Sequence, residues 1–215
     1  MTGNTPAPPP AGPPFRPTKP VVIGITGGVA AGKSTVAGLF RDRGLVLVDA
    51  DHHARAAAKD PEILAALRAA FGESIVTAAG LDREALAAVV FADAARRTEL
   101  ERILHPPIRA RILVELEACR SRGESVLLDA PLMFETGLAE LCDLTVYVEA
   151  SDPIRQQRAA ARGWSPGELA RREAAQLPLA VKKQRSSHTI SNDGDLEITA
   201  GDVARLIDEL ATATG

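Results

Sequence analysis

The feature that most constrains the fold is the stretch "GITGGVAAGKSTVAGLF", residues 24–40. Its glycines stand between an apolar run, "VVIGI", and a helical pattern that begins at Ser34. Gly27, four intervening residues, Gly32, Lys33 and Ser34 spell G-x-x-x-x-G-K-[ST], the phosphate-loop motif. Such a loop needs a buried strand before it and a helix after it, and both patterns are present. The stretch therefore predicts an α/β fold that binds a nucleoside triphosphate at the end of its first strand.

The residue types in this loop suit a polyphosphate. Backbone N–H groups must turn inward around the phosphates, which glycine allows at little steric cost, and the positive end of the following helix faces the same anion. Lys33 is expected to reach the β and γ oxygens, Ser34 to offer its hydroxyl to Mg²⁺, and Thr35 to add a phosphate contact. The predicted nucleotide-binding residues are Gly27, Gly28, Val29, Ala30, Ala31, Gly32, Lys33, Ser34 and Thr35.

The rest of the pattern alternates strands with helices, which predicts a mainly parallel sheet. Further strands are expected in "LVLVDAD", "SVLLDAPLMFE", "CDLTVYVEA" and "SHTISN", and a last helix over about 200–211. Between strands, residues 52–123 are almost wholly helical in pattern, with starts at Pro61 and Asp82, and this block is too long for one crossover. We predict core segments 21–51, 124–152 and 186–213, a helical insertion over about 52–123, and a helical lid over about 153–185.

Composition narrows the class of protein. The 215 residues are 46% hydrophobic with a net charge of −3 and a pI of about 5.9, which argues against bulk binding of nucleic acid. Two cysteines without paired spacing favour a reducing, cytoplasmic location over a disulfide framework. No apolar run has the roughly 18 residues of a membrane span. Residues 1–20 are rich in proline and are expected to be a disordered tail, with a ligand for a proline-binding module as the alternative.

Acidic residues at two strand ends are candidates for chemistry. In an extended segment Asp49 and Asp51 point the same way, into the crevice where open α/β sheets bind ligands. Asp51 could accept the proton of an attacking hydroxyl, or it could simply cap the next helix. Asp129 ends the third strand as a Walker B acid would, which makes it a candidate for steadying Mg²⁺.

Basic residues cluster between 155 and 185. One interpretation is a solvated helix face. The other is a lid: Arg158 and Arg162 lie four residues apart, and planar, always charged guanidinium groups suit a transferring phosphoryl group. Lid closure would also exclude water, so that phosphate passes to substrate rather than to solvent. A histidine before proline, as at His105, is more often structural, and the pattern predicts that it opens a helix.

Taken together, the motifs resemble the dephospho-CoA kinases, a family of P-loop kinases. The segments that carry the resemblance are "IGITGGVAAGKSTVAGLF", "VDADHHAR", "ILHPPIR", "DAPLMFE", "RREAAQLPL" and "ISNDG", in family order and spacing. They extend over about residues 21–208, nearly everything except the tail. The combination D-A-D-x-x-A-R, L-H-P and P-L-hydrophobic-F-E is far more specific than the phosphate loop alone.

The resemblance implies a three-layer P-loop kinase fold with a five-stranded, mainly parallel sheet and a CoA-binding insertion. It implies transfer of the γ-phosphate of ATP, with Mg²⁺, to the ribose 3′-hydroxyl of dephospho-CoA, in a monomer or weak homo-oligomer. Asp51 would be the general base, with Lys33 and the lid arginines Arg158 and Arg162 as the other catalytic residues, and Asn192 would lie near the adenine. The acceptor site would be lined by Asp51, Arg55, His105, Pro131, Leu132, Phe134 and Glu135, and Mg²⁺ would be held by Ser34 and Asp129.

The chain departs from the family pattern at two places. Ala30 and Ala31 replace a glycine and a serine, so the first of these positions is not expected to need a positive φ. Residues 191–194, "SNDG", replace the usual D-N-N-G, which bears on adenine recognition rather than on the reaction. Rival hypotheses are a nucleoside or nucleoside-monophosphate kinase, a non-catalytic binding module, and a GTPase, although the N/T-K-x-D guanine signature is absent from the sequence.

Overall fold

The computed structural model describes residues 13–77, 80–165 and 167–213. It divides into two compact units: one contains the described residues up to Val48 and from Ala118 onward, and the other is Asp49–Glu117. In the described residues, no helix combines the length and the apolar composition that a membrane crossing requires.

The first unit is built on a sheet of five strands: β1 (Val22–Gly27), β2 (Val46–Asp49), β5 (Val126–Asp129), β6 (Leu144–Glu149) and β7 (His188–Ser191). Their order in the sheet is β2-β5-β1-β6-β7. The pairs β1–β5, β1–β6 and β6–β7 are parallel, which confirms the predicted mainly parallel sheet. The helices of this unit are α1 (Lys33–Asp42), α6 (Asp152–Ala161), α7 (Glu168–Ala174), α8 (Leu179–Arg185) and α9 (Leu196–Ala213).

The core of this unit follows from the period of its strands. Ile23 and Ile25 of β1 are fully buried and belong to one apolar cluster with Phe40 of α1 and Ile207 of α9. On the other face of β1, a Cβ added to Gly24 would lie 2.7 Å from the sulfur atoms of Met133 and Cys142. Both faces of the central strand are therefore covered, as expected for the middle layer of an α/β fold.

The packed part of the chain begins before residue 21. Phe15 is buried in the apolar cluster, and its N–H donates to the Arg43 carbonyl at 2.7 Å. The Arg43 guanidinium in turn donates to the Pro13 carbonyl and pairs with Asp208. The prediction of a disordered tail is thus wrong for residues 13–20, because the Phe15 side chain there packs in the apolar core. Residues 1–12, the rest of the predicted tail, lie outside the described residues.

The second unit is mainly helical, and the predicted insertion overlaps it. It contains α2 (Ala50–Ala57), α3 (Pro61–Phe71), α4 (Arg83–Ala92) and most of α5 (Ala94–Ser121), together with the short antiparallel pair β3 (Val76–Thr77) and β4 (Gly80–Leu81). Asp60 and Asp82 cap α3 and α4 through their side chains, with Pro61 in the first turn of α3, as the sequence predicts.

His105 does not open a helix. It lies inside α5, which continues through Pro106 and Pro107. Neither proline has an N–H to donate, so the local rule predicts a helix end here. Ile103, Leu104 and Ile108 flank the prolines and pack on the apolar cluster of this unit, and this burial outweighs the missing hydrogen bonds.

The two cysteines are thiols, and that of Cys142 is inert. Burial and the charge of Asp143 raise the pKa of Cys142 from 9.0 to about 12. Because the thiolate is the reactive form, we expect alkylation of Cys142 at pH 8 to be about 1,000-fold slower in the folded protein than in urea. The measurement is iodoacetamide labelling of a Cys119→Ala variant followed by mass spectrometry, and similar rates in both conditions would contradict the prediction.

Candidate active site

The phosphate loop joins β1 to α1 in the way that the motif predicts. All six residues of β1 are buried, which fixes the strand that leads into the loop. Gly32 is the N-cap of α1 with a φ of 85°, and among the described residues no side chain caps this helix. The Thr35 N–H donates to the Gly32 carbonyl at 3.0 Å. The two earlier N–H groups of the first turn, those of Lys33 and Ser34, can take an external acceptor, and a helix N-terminus with this geometry binds phosphate.

The loop is held from outside by a clamp that consists of Arg158 and Asn192. The Asn192 amide and the Arg158 guanidinium both donate to the Ala31 carbonyl at 2.8 Å, and Arg158 also donates to the Asn192 carbonyl at 2.8 Å. A Cβ at Gly32 would lie 2.1 Å from the Asn192 amide nitrogen, so only glycine fits under the clamp. The motif requires glycine here both for its backbone angle and for this close approach.

The clamp shows what two predicted site residues contact in the structure. Asn192 is 4% exposed and its amide donates to the loop backbone, and its place near the adenine stays a prediction. Arg158 donates from two guanidinium nitrogens to main-chain carbonyls, and its role as a lid arginine at the phosphoryl group stays a prediction. These contacts join residues 127 and 161 positions apart in the chain, which local patterns cannot reveal.

Ala30 has a φ of 61°, so the expectation that this position needs no positive φ is wrong. An L-residue in this region is strained by about 1–2 kcal/mol, whereas glycine adds about 0.4–1 kcal/mol of unfolded-state entropy. We therefore expect Ala30→Gly to raise the free energy of unfolding by about 0.5–1 kcal/mol in urea titrations.

Ala31 provides the matched control for this substitution. It is the next residue of the loop, is 1% exposed and lies outside the positive-φ region. Ala31→Gly should lower the free energy of unfolding, because it adds chain entropy without relieving strain. Equal destabilisation by both substitutions would contradict the assignment of strain to Ala30.

Lys33 and Asp129 form an ion pair at the carboxyl ends of β1 and β5. Their side chains are 20% and 15% exposed, so each charge is largely removed from water and is stabilised by the other.

Ser34 is exposed on the first turn of α1. A carboxylate and a hydroxyl are oxygen ligands of the kind that Mg²⁺ takes together with water and substrate phosphates, so this donor set fits the ion. No group of three or more His, Cys, Asp or Glu residues suited to a metal occurs in the described residues.

Residues 131–135 follow β5 directly and bend back into the first unit. The Pro131 carbonyl accepts from the Thr26 hydroxyl at 3.2 Å, and the Glu135 carboxylate accepts from the Leu177 N–H at 2.8 Å. Phe134 is buried, whereas Leu132 is 39% exposed. The second carboxylate oxygen of Glu135 is buried without a hydrogen-bond partner among the described residues.

The predicted lid contains three short helices, α6 to α8. Arg162 is the first residue after α6, and its guanidinium lies 5.6 Å from the centre of the Trp164 ring. Arg172 of α7 covers the same ring at 4.4 Å. Arg155 is buried and pairs with Asp152 and Glu173, so this arginine joins α6 to α7 instead of facing solvent.

In the second unit, the acids after β2 are arranged differently from the prediction. The strand ends at Asp49, and Ala50 and Asp51 already belong to α2. The two acids therefore do not lie in one extended segment, which is the arrangement that was expected to point both carboxylates the same way. Asp49 is the N-cap: one of its oxygens accepts from the Asp51 N–H at 2.8 Å, and the other pairs with Arg55 at 3.1 Å. Asp51 is exposed in the first turn of α2, so the capping role belongs to its neighbour.

Two histidines also lie in the second unit, and His105 is the one that the sequence analysis singled out. His53 contacts the Glu115 carboxylate at 2.7 Å and is largely buried. His105 is half-buried within α5.

Comparison with known proteins decides the family. The sequence model of the family "Dephospho-CoA kinase" matches residues 21–197, which is most of the chain. The chain belongs to the dephospho-CoA kinase family.

Individual members of the family are similar over nearly their whole length. The dephospho-CoA kinase of Deinococcus radiodurans is 42% identical over 199 residues, which cover 92% of this chain and 96% of that protein. The enzyme of Geobacillus kaustophilus is 41% identical over 183 residues, which cover 83% of this chain and 91% of its own.

Solved structures agree with the fold. The crystal structure of TT1252 from Thermus thermophilus has a TM-score of 0.78 and 36% identity, with 90% of this chain and 99% of that chain covered. The dephospho-CoA kinase from Campylobacter jejuni has a TM-score of 0.66 at 20% identity, with 90% and 98% covered, and shows the likeness of the fold.

Family membership does not by itself account for Lys182, which belongs to the basic run between residues 155 and 185 and which the sequence analysis did not single out. Lys182 is 0% exposed and donates to the Pro131 carbonyl and the Gln176 side chain, both at 2.7 Å. Burial lowers the pKa of Lys182 below its ordinary value, while Glu135 at 3.1 Å acts in the opposite direction and the Lys33 ammonium lowers it further. A sequence signal existed only in its spacing: Lys182 lies three residues after Leu179, on the inward side of α8.

Proposed function

We propose that this protein transfers the γ-phosphate of ATP to the ribose 3′-hydroxyl of dephospho-CoA, giving CoA and ADP. The observation that carries the proposal is family membership across residues 21–197, which include the phosphate loop and residues 131–135. The pairing of Lys33 with Asp129 supports it, because it joins a phosphate-binding cation to a metal-binding acid. Two cysteines that are both thiols agree with a cytoplasmic location for the reaction.

Binding of ATP begins at the first turn of α1. The N–H groups there and the Lys33 ammonium hold the β- and γ-phosphates, and the Arg158–Asn192 clamp keeps the loop in the conformation that directs them. Lys33 exchanges its contact with Asp129 for the phosphate oxygens, and the Asp129 carboxylate and the Ser34 hydroxyl would then hold Mg²⁺. Bound Mg²⁺ would supply charge neutralisation on the β and γ oxygens.

The transfer step forms one bond and breaks one. The 3′-hydroxyl oxygen bonds to the γ-phosphorus, the bond between that phosphorus and the β,γ-bridging oxygen breaks, and ADP leaves. Asp51 accepts the hydroxyl proton, a role that its exposed carboxylate in the first turn of α2 allows. Arg162 is a lid arginine that can move to the phosphoryl group, because it is exposed and, among the described residues, its guanidinium contacts only the Trp164 ring.

The residues proposed to bind the acceptor are those that the family resemblance implies. They include Leu132 and Glu135, together with Arg55 and His105. The exposed apolar side chain of Leu132 is the kind of group that contacts a large, partly apolar alcohol.

The test is a coupled ADP-release assay with dephospho-CoA, AMP, CMP and nucleosides offered side by side. We expect turnover with dephospho-CoA and a product phosphorylated at the 3′ position by mass spectrometry and phosphorus NMR. Turnover with a nucleoside monophosphate but not with dephospho-CoA would establish the rival kinase function. ATP binding without turnover of any acceptor would establish a binding module.

A further inference from the structure

Lys182 is a fully buried ammonium group with every donor in use. Its three acceptors are the Pro131 carbonyl at 2.7 Å, the Gln176 side-chain oxygen at 2.7 Å and the Glu135 carboxylate at 3.1 Å. Lysine is almost never fully buried unless it is paired, and an ammonium has three protons to donate. The geometry of these three partners is therefore set by one atom, Nζ of Lys182.

Two of those partners are the two ends of residues 131–135. Pro131 is also held by the Thr26 hydroxyl of β1, and Glu135 is also held by the Leu177 N–H just before α8. Between the ends, the Arg185 guanidinium of α8 lies 4.6 Å from the centre of the Phe134 ring. Residues 131–135 are thus attached to the last lid helix at both ends and in the middle.

Stability alone gives little reason for a lysine at this position. The desolvation of a buried ion pair often cancels its attraction, and replacing both partners of such a pair by apolar residues of similar volume is frequently neutral or stabilising. A second cation, Lys33, is near enough to lower the pKa of Lys182 further. What the lysine supplies, and an apolar side chain of equal size cannot, is a fixed orientation of the Pro131 carbonyl and the Glu135 carboxylate.

We propose that Lys182 is a positioning residue for the acceptor: through Pro131 and Glu135 it holds residues 131–135 in the conformation that binds dephospho-CoA. The proposal rests on the proposed function, in which residues 131–135 line the acceptor site. Lys182 has no donor left for substrate, so it acts through these two residues. Because Pro131 follows Asp129 by two residues, the same contacts fix the acceptor residues relative to the end of β5.

The test compares Lys182→Met with Lys183→Met. Methionine keeps the volume of the side chain and removes the charge and the three hydrogen bonds. For Lys182→Met we expect kcat/KM for dephospho-CoA to fall about 10–100-fold, chiefly through KM, because a hydrogen-bonded charge is lost. The Kd of a fluorescent ATP analogue should stay near the wild-type value, since α1 and the phosphate loop are untouched. The melting temperature should fall to some extent, because the Glu135 carboxylate is left largely buried without its cation. A defect that was only structural would weaken ATP binding and stability together.

Lys183 is the matched control. It is the next residue of α8, is exposed and pairs with Glu149 at 2.7 Å, so Lys183→Met removes the same charge from the same helix. Lys183→Met should leave kcat/KM for dephospho-CoA, the Kd of the ATP analogue and the melting temperature unchanged. If Lys182→Met does not fold, Lys182→Gln, which keeps a polar end, provides the second variant with the same expected pattern.

Each outcome decides the proposal. Wild-type acceptor kinetics in Lys182→Met, in an enzyme whose wild type phosphorylates dephospho-CoA, overturn the positioning role alone. A parallel loss of ATP affinity and stability, or unfolded chains for both Lys182 variants, also overturns it, because the lysine then serves the fold as a whole. An inactive wild type overturns the proposed function and this inference together.

Discussion

Asp51→Asn lowers kcat by about 10²–10⁴-fold and leaves the Kd of ATP within about twofold of wild type: this is the result expected if Asp51 is the general base. Asparagine has nearly the same shape but cannot accept a proton at neutral pH. The cap of α2 is provided by Asp49, so the helix start should survive the substitution. Steady-state kinetics with dephospho-CoA and equilibrium titration with an ATP analogue measure the two quantities separately.

Asp82→Asn is the control for this change. Asp82 caps α4 in the same unit, and asparagine caps helices equally well, so charge is removed without loss of the cap. Its kcat should match that of the wild type. Near-wild-type turnover by Asp51→Asn would remove Asp51 from the chemistry and leave the proton to another acceptor.

Lys33→Ala should impair both binding and turnover. Loss of a charged hydrogen bond to the phosphates is expected to weaken ATP binding about 10–100-fold. Loss of a donor that stabilises charge in the transition state is expected to lower kcat by a further factor of about 10²–10³. The substitution also removes the ion pair of Asp129 with Lys33, so the Asp129 carboxylate repels the incoming polyphosphate more strongly. This repulsion weakens ATP binding further.

Arg41→Ala separates this effect from a general loss of positive charge. Arg41 is an exposed cation in the last turn of the same helix, so its removal changes the net charge equally without touching the loop. We expect its ATP affinity and kcat to be unchanged. An unaltered Kd of ATP in Lys33→Ala would contradict the phosphate-loop assignment itself.

The parts of the fold that could be predicted are those set by neighbours in the chain. The apolar run of β1, the glycines of the loop and the 3.6-residue pattern of α1 lie within a few residues of each other, and the structure has the strand, the turn and the helix in that order. The position of Asp129 at the end of β5 and the capping of α4 by Asp82 could also be predicted, because each depends only on residues nearby in the sequence.

The parts that could not be predicted depend on contacts between distant segments. The clamp joins Asn192 to Ala31 across 161 positions, and Lys182 reaches Pro131 across 51. At Pro106 the local sequence predicts the end of a helix, but α5 continues because apolar residues on both sides of the proline are packed on the cluster of the second unit. Ala30 takes a positive φ in a loop whose next carbonyl, that of Ala31, is held by two long-range donors, so its backbone angle could not be inferred from residue type.

Trp164 gives the lid an optical label of its own. It is the single tryptophan of the sequence, and the guanidinium groups of Arg162 and Arg172 both lie against its ring. All of the indole emission of the protein therefore comes from the segment between α6 and α7, and it is sensitive to where those two arginines are. Stopped-flow fluorescence on the unlabelled wild-type chain would follow the proposed movement of Arg162 toward the phosphoryl group in real time, with no engineered dye.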